Sequence, residues 1–372
     1  MVNLVIEKKN EVYLHITAEP HIYYELKDSF QFEVPNAKFS PAYKNKWWDG
    51  RIYLFNVDTR EIYIGLLDRV IQFCKDHDYT YEFVNNKFYG LPFEINENIS
   101  KEGVKDYLNS ICSHIPRDYQ IEGVYDALKY NRKLLISPTA SGKSLMIYSL
   151  VRYYVEKQQN ILVVVPTTSL VEQMYKDFAD YGWDVGSYCH KIYAGKERET
   201  DSQVIITTWQ SIYKLPKQYF SRFNVVVGDE AHQFKAKSLT TILSGCTSAK
   251  YRIGTTGTLD GTHTHRLVLE GLFGPVYKAT STSELIDKGQ LASFRIKCLI
   301  LKYPDNICKQ SRDWDYNTEV DYIVLNKARN DFIKNLVLSL EGNTLVLFQF
   351  VEKHGKNLHA IIKEHTKNRH VF

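Results

Sequence analysis

The residue pattern of this chain predicts an α/β protein in which a parallel sheet with crossover helices occupies residues 113–282 and follows a small α+β domain over residues 1–95. Two observations predict it. Between residues 113 and 282, short apolar runs alternate with helical patterns, as a parallel sheet with crossover helices demands. Before residue 95 the chain is instead dense in Tyr, Phe and Trp, with short strand runs around one helical stripe.

In the small domain, Val12–Ile16 and Arg51–Phe55 have strand chemistry, while Ile64, Leu66, Leu67, Val70 and Ile71 recur at helical spacing up to Cys74. The polar stretch from Glu94 to Gly103 marks a change of character, and residues 96–112 read as a linker. Beyond it the apolar runs are Lys133–Ile136, Ile161–Val165, Val204–Thr207, Val225–Val227 and Tyr251–Gly254. Leu145, Ile147, Leu150, Val151 and Tyr154 make a buried helix stripe after the first run, and Leu170, Val171, Met174 and Phe178 make another after the second. Residues 283–335 read as a connector. Gly342–Phe350 reads as the first strand of a further α/β domain, so that residues 336–372 would be the incomplete beginning of one.

With 372 residues, 44% of them hydrophobic, the chain has material for two or three ordinary cores. No apolar run reaches the roughly 18 residues that a spanning helix needs, and the N-terminus lacks signal-peptide order. The expected address is therefore intracellular, with no membrane partner. Six scattered cysteines suggest neither a zinc site nor a disulfide framework. Residues 1–100 hold eleven Lys/Arg against fifteen Asp/Glu, a balance of −4, which leaves +8 on the rest of a chain whose total is +4. That bias suits a polyanion partner, and a solvated surface gives the same count.

Ser137-Pro138-Thr139-Ala140-Ser141-Gly142-Lys143-Ser144 lies directly after a strand run and before an amphipathic helix, the context of a phosphate-binding loop. Backbone N–H groups from Ala140 to Ser144 and the helix dipole would surround a triphosphate, since an anion there satisfies donors that the helix leaves unpaired. Lys143 would add a point charge at the outer phosphates, the Ser144 hydroxyl would ligate magnesium, and Gly142 would let the backbone approach. Ser137 stands where the general pattern has its first glycine, and Ala140 where related loops often have another. Farther on, Asp229 and Glu230 end the run Val225–Val227. Asp229 is placed to hold magnesium, with Glu230 to orient and deprotonate an attacking water.

Asp229-Glu230-Ala231-His232 resembles the DEAH box of superfamily 2 helicases, and other motifs follow in that family's order. Arg117-Asp118-Tyr119-Gln120 resembles the adenine-reading element, with Gln120 on the base edge and Arg117 near the base. Pro166-Thr167-Thr168 and Thr207-Thr208-Trp209-Gln210 resemble the two elements that meet one nucleic-acid strand, although Ser and Thr there serve equally as helix caps. Thr256-Gly257-Thr258 stands at the family's coupling motif. His263 and His265 lack a third ligand and read as a solvated loop. Glu284–Ala292 resembles the connector of branch-processing helicases, and Asn326–Asn330 resembles the segment that precedes their second motor domain.

The resemblance implies a RecA-like motor domain and the start of a second one. It implies an ATP- and Mg2+-using DNA helicase or translocase acting on branched, forked or RNA–DNA hybrid structures in recombination, repair and replication. It also implies a monomer, in the host cytoplasm for a phage protein. Lys143, Asp229, Glu230 and His232 would be its catalytic group; Arg117, Gln120 and Thr139 to Ser144 its ATP site; Thr256 and Thr258 its coupling pair. Because the motifs of a second lobe are missing from this sequence, weak hydrolysis is expected of the chain alone. An RNA helicase or other translocase lobe, and a nucleotide-binding scaffold without turnover, remain alternatives. In the small domain, Lys44, Lys46, Trp48 and Arg51, with Lys38 and Trp47, interleave basic and aromatic side chains as a nucleic-acid surface would. Core packing of the Trp pair with solvated lysines is the competing reading.

Overall fold

The computed structural model describes residues 2–193, 200–234, 236–259, 265–292 and 295–366. The chain forms two compact units, Met1–Ser293 and Phe294–Phe372.

The small domain opens the first unit. Its strands are β1 (Leu4–Lys8), β2 (Tyr13–Ala18), β3 (Gln31–Glu33), β4 (Arg51–Tyr53), β5 (Glu61–Tyr63) and β6 (Tyr81–Val84), with helices α1 (Pro20–Ser29) and α2 (Leu67–Asp76). Four strands form a sheet in the order β5-β2-β1-β6, while β3 and β4 make a separate antiparallel ribbon. Alternation drives this layer: Leu4, Ile6, Leu14 and Ile16 face inward and are buried against Ile22 and Leu26 of α1 and Val70 and Phe73 of α2.

Residues 96–112, expected as a linker, are largely helix. Helix α3 (Lys101–Ile111) is capped by Ser100, whose hydroxyl accepts from the Gly103 N–H, and buries Val104 and Leu108. A single i, i+4 pair hides easily in a polar surround, and only Val104 and Leu108 are buried along its three turns. Helix α4 (Asp118–Tyr130) packs beside it.

The large sheet comprises β7 (Arg132–Ile136), β8 (Ile161–Val165), β9 (Cys189–Ile192), β10 (Val204–Thr208), β11 (Val225–Gly228), β12 (Tyr251–Thr256) and β13 (Val276–Lys278). The order is β13-β7-β12-β11-β8-β10-β9, parallel throughout. The crossovers carry α5 (Lys143–Glu156), α6 (Thr168–Asp180), α7 (Ala236–Gly245) and α8 (Arg266–Phe273). Strands β8, β10 and β11 are buried along their whole length, which is why their sequences run apolar without alternation. The domain also reaches past residue 282: Ser281 caps a short helix, Thr282–Asp287, whose Leu285 is fully buried in the first unit. The segment expected as a connector from residue 283 thus begins in this helix.

The small domain and the sheet domain share an interface. Gly65 stands so close to α8 that a β-carbon there would lie 2.1 Å from the Glu270 carbonyl oxygen, so only glycine permits this approach. Beside it, Arg69 Nε and Arg266 Nε each lie 2.5 Å from a Glu270 carboxylate oxygen. Farther along, Glu11 joins the buried Lys8 at 2.8 Å and Arg132 at 2.5 Å.

Within the second unit, described residues form helices at Asp305–Gln310, Tyr316–Leu325, Lys327–Ser339 and Lys356–Lys363. His354 and Asn330 are buried together, with His354 Nε2 3.2 Å from Asn330 Oδ1. Gly342–Phe350, expected as a strand, pairs with no strand among the described residues. An extended segment becomes a strand only when a neighbour satisfies its backbone groups, and the apolar run alone does not supply one.

Candidate nucleotide site at the carboxyl edge of the sheet

Because all seven strands of the large sheet run parallel, their C-terminal ends meet at one edge, where ligands bind in open α/β sheets. Strand β7 delivers the loop Ser137–Gly142 there, β11 delivers Asp229, and β12 delivers Thr255 and Thr256.

The loop is shaped by two left-handed residues, Ala140 at φ 64 and Gly142 at φ 78. Ser137 Oγ donates to Ser141 Oγ at 2.6 Å inside the turn, so the serine in place of the expected first glycine closes the loop through its side chain. Gln120 Nε2 donates to the carbonyls of Ser141 at 3.0 Å and Gly142 at 3.3 Å, and the Tyr119 hydroxyl donates to Ser141 O at 2.7 Å. Arg117 Nη1 donates in turn to the Tyr119 hydroxyl at 2.8 Å. Arg117 and Gln120 thus brace the loop from below, while Thr139 and Ala140 stay exposed on its outer face.

Lys143, the first residue of α5, reaches Glu230 Oε1 at 2.9 Å and donates to Ser137 O at 3.3 Å. Glu230 adopts φ 48, a strained backbone for a non-glycine residue, just after Asp229. Asp229 is nearly buried; its Oδ1 accepts from Thr255 Oγ1 at 2.6 Å and from the Glu230 N–H at 2.9 Å. Burial raises the Asp229 pKa above the usual carboxylate range, and the Glu230 charge adds to that rise, against the Thr255 hydrogen bond and the Lys143 charge. His232 Nδ1 lies 2.7 Å from Thr256 Oγ1 and 3.5 Å from Glu230 Oε2. The Thr256 hydroxyl also bonds Thr258 O at 2.8 Å.

The structure therefore brings Lys143, Asp229, Glu230, His232, Thr256 and Thr258 into one connected group. The Ser144 hydroxyl is engaged elsewhere, 3.0 Å from the Tyr181 hydroxyl. Two residues that sequence reasoning passed over belong here. Thr255 sits one place before the threonine that the motif singled out, and Tyr181, at the end of α6, carries no sequence signal for its bond to Ser144.

A triphosphate fits this cradle: two left-handed residues and the α5 N-terminus present backbone donors, and Lys143 stands at their mouth. For magnesium, Asp229 fits as a carboxylate at the strand end, whereas Ser144 must first leave Tyr181. Among the described residues no group of three or more His, Cys, Asp or Glu could hold a metal ion by itself.

Of the residues read as nucleic-acid contacts, Thr167 and Thr168 are exposed at the start of α6, where Thr167 Oγ1 accepts from the Leu170 N–H at 3.3 Å. Pro166 is buried, and its carbonyl accepts from Gln210 Nε2 at 3.1 Å, which ties the two elements together. Thr207 must be corrected: it is fully buried, and its hydroxyl donates to Ile192 O at 2.8 Å, so strand pairing has turned it into the sheet. On the small domain, Lys44, Lys46 and Arg51 are exposed, Trp47 is 82% exposed, and Trp48 is partly buried with its indole donating to Arg51 O at 2.7 Å. His263 lies outside the described residues, and His265 is not a solvated loop residue, since its ring stacks on Phe32.

Residues 113–261 match the family described as the res subunit of type III restriction enzymes, and residues 4–84 match the N-terminal domain of the DNA helicase UvsW. The chain is 31% identical, over 94% of its length and 71% of the relative's, to the ATP-dependent DNA helicase UvsW of Enterobacteria phage T4. The chain belongs to the UvsW helicase family. As a member it is an ATP-dependent DNA helicase or translocase. A crystal structure of T4 UvsW aligns with a TM-score of 0.70 at 29% identity, over 98% of this chain and 74% of that one. A second T4 UvsW structure aligns at 0.67 and 30%, over 74% of this chain and 100% of that one. The similarity extends at 26% identity to a DNA 3'-5' translocase, XPB2, of Sulfurisphaera tokodaii, over 61% of this chain and 47% of the relative. The parallel sheet of the UvsW family is thus the RecA-like domain that the motif order implied. No helix among the described residues is long and apolar enough to cross a membrane.

Proposed function

We propose that this chain binds Mg2+–ATP at the loop Ser137–Ser144 and uses hydrolysis to move on branched or forked DNA, or on RNA–DNA hybrids, in recombination and repair. The observation that carries this reading is the connected group Lys143–Glu230–His232–Thr256 beside Asp229. Lys143 neutralises the outer phosphates, exchanging its ion pair with Glu230 for them. Glu230 then has its carboxylate free to orient a water and accept its proton. Asp229 and Ser144 would hold the magnesium, which would offset the negative charge that develops on the phosphates. His232 and Thr256, hydrogen-bonded to each other, join the hydrolytic residues to the loop that ends at Thr258. Thr167, Thr168 and Gln210 meet one strand at the sheet edge, and Lys44, Lys46, Trp48 and Arg51 meet DNA on the small domain.

The domain assignment is part of this proposal: a small DNA-binding domain over residues 1–95, a RecA-like ATP-binding domain over residues 113–292, and a segment leading to a second lobe. The deciding measurement is ATP hydrolysis with and without forked DNA, plain duplex and RNA, beside a Lys143→Ala control. Weak hydrolysis is expected of this chain, raised most by forked DNA and lost in Lys143→Ala. Nucleotide binding without hydrolysis under any condition would replace the motor with a scaffold.

A further inference from the structure

Helix α8 touches two places that the proposed function keeps separate. Its C-terminal residue, Phe273, is fully buried with its ring over the backbone of β11 and β12. A β-carbon at Gly228 would lie 2.6 Å from that ring, and one at Gly254 would lie 2.8 Å from it. Those glycines immediately precede Asp229 and Thr255, the hydrogen-bonded pair at the nucleotide site. Packing this tight has no slack, so a displacement of either strand end moves the ring.

At the other end, about 12 Å away for eight residues of helix, His265 caps α8: its Nδ1 accepts from the Leu267 N–H at 3.2 Å. The same ring lies flat on Phe32, with centroids 3.8 Å apart and planes 8° from parallel. Phe32 is the middle residue of β3 and pairs with Ile52 of β4. The adjacent Arg51 of β4 reaches Gln31 and Glu33 of β3 at 3.3 Å each, and its carbonyl holds the Trp48 indole. The segment between β3 and β4 bears the exposed Lys44, Lys46 and Trp47, β4 bears the exposed Arg51, and among the described residues the ribbon stacks on the N-cap of α8 through Phe32–His265.

We infer that α8 is a rigid strut that couples the nucleotide state at Asp229 and Thr255 to the DNA-binding ribbon of the small domain, and that His265 is the positioning residue at its working end. Midway, Glu270 clamps the strut between Arg69 and Arg266, and Gly65 seats it against the small domain. A shift of the strand ends on nucleotide binding is passed along the helix axis to the stack, and from there to the angle of the ribbon. Closely packed elements respond in this way because they have few intermediate arrangements. The inference rests on the proposed DNA-binding role of the ribbon.

The test uses the full chain and a fluorescein-labelled DNA fork, whose affinity is read by anisotropy without nucleotide and with a non-hydrolysable ATP analogue plus Mg2+. The wild-type affinities are expected to differ by about fivefold or more between the two states, the lower end of ordinary coupling. His265→Ala and Phe32→Ala should bring that ratio close to one while leaving affinity for a fluorescent ATP analogue unchanged, and His265→Phe, which keeps a stacked ring, should retain it. Thermal melting identifies any variant that fails to fold, and His265→Phe then carries the comparison against wild type. A wild-type ratio of one, or stack variants with the wild-type ratio, overturns the strut. Charge reversal at Lys44 and Lys46 separates the failures. If it leaves fork binding unchanged, the ribbon's DNA role falls and the strut with it; if it weakens binding while the stack variants keep their ratio, only the strut falls.

Discussion

Lys143 Nζ lies 2.9 Å from Glu230 Oε1, so the cation meant for phosphate and the carboxylate meant for water neutralise each other. Each is freed for its task only when the other is released. Replacing Glu230 with Gln therefore has two opposite effects. Lys143 no longer surrenders an ion pair on binding, so affinity for a fluorescent ATP analogue should rise by a few-fold, while hydrolysis should fall by about 10²–10⁴, the usual contribution of a general base. Equal losses of binding and turnover would argue that Glu230 shapes the loop instead.

Asp229 is charged at the expense of stability. Its pKa is raised by burial, so the folded state disfavours the ionised form above that pKa, and the disadvantage disappears as pH falls through it. Asp229→Asn keeps the acceptor for Thr255 and removes the charge. At pH 7 it should melt about 2 °C or more above wild type, since each kcal/mol moves a domain of this size by that much, yet hydrolyse no ATP. The advantage should shrink as the melts are repeated toward pH 4. A lower Tm at pH 7 would show that the carboxylate is stabilising.

Gly142 is held at φ 78, and a β-carbon there would stand 2.4 Å from Gln120 Nε2. Gly142→Ala must both strain the backbone, by about 1–2 kcal/mol, and push Gln120 off the loop. Nucleotide affinity should drop by at least about tenfold, measured by fluorescent-nucleotide titration, with little change in the far-ultraviolet circular dichroism.

Tyr181 competes for the hydroxyl that magnesium would use. Without its bond to Ser144, worth about 1 kcal/mol net, Tyr181→Phe should need several-fold less Mg2+ for half-maximal nucleotide binding. An unchanged Mg2+ requirement would mean that Ser144 is free to turn in the wild type.

Glu11 is flanked by the buried Lys8 and the partly buried Arg132. Burial alone raises its pKa, but the Arg132 and Lys8 charges and their hydrogen bonds overcome this and leave it lowered. Its stabilising contribution is therefore present at neutral pH and is lost as pH falls through that lowered value. Glu11→Ala removes the carboxylate partner of Arg132 and leaves Lys8 only the more distant Glu94, and should cost about 3–5 kcal/mol, seen as a lower denaturation midpoint and earlier proteolysis between the small domain and the sheet domain.

The parallel sheet was legible because β8, β10 and β11 are buried on both faces and so are apolar without interruption, and because the phosphate loop and the Asp229–Glu230 pair fall where strands end. Helix α3 was hidden by its polar surround, and the true reach of the first unit by the single buried Leu285. In the site, Lys143, Glu230, His232 and Thr256 could be named from local pattern, since one motif supplies each. Thr207 was misjudged because a hydroxyl at a strand's end reads the same whether it faces solvent or bonds to the next strand, as it does to Ile192. Tyr181 and the Phe32–His265 stack join residues far apart in the chain, and no local pattern encodes a tertiary contact of that kind.

The glycine at position 65 also decides how this architecture can be recombined with others. A graft of residues 1–95 alone onto a different motor would set that backbone against a foreign helix, whose side chains would collide where Glu270 and Gly271 now allow contact. The heritable cassette is therefore discontinuous: the small domain travels intact only together with residues 265–273, so shuffling at the apparent domain boundary should yield insoluble hybrids, and exchange of both segments should not.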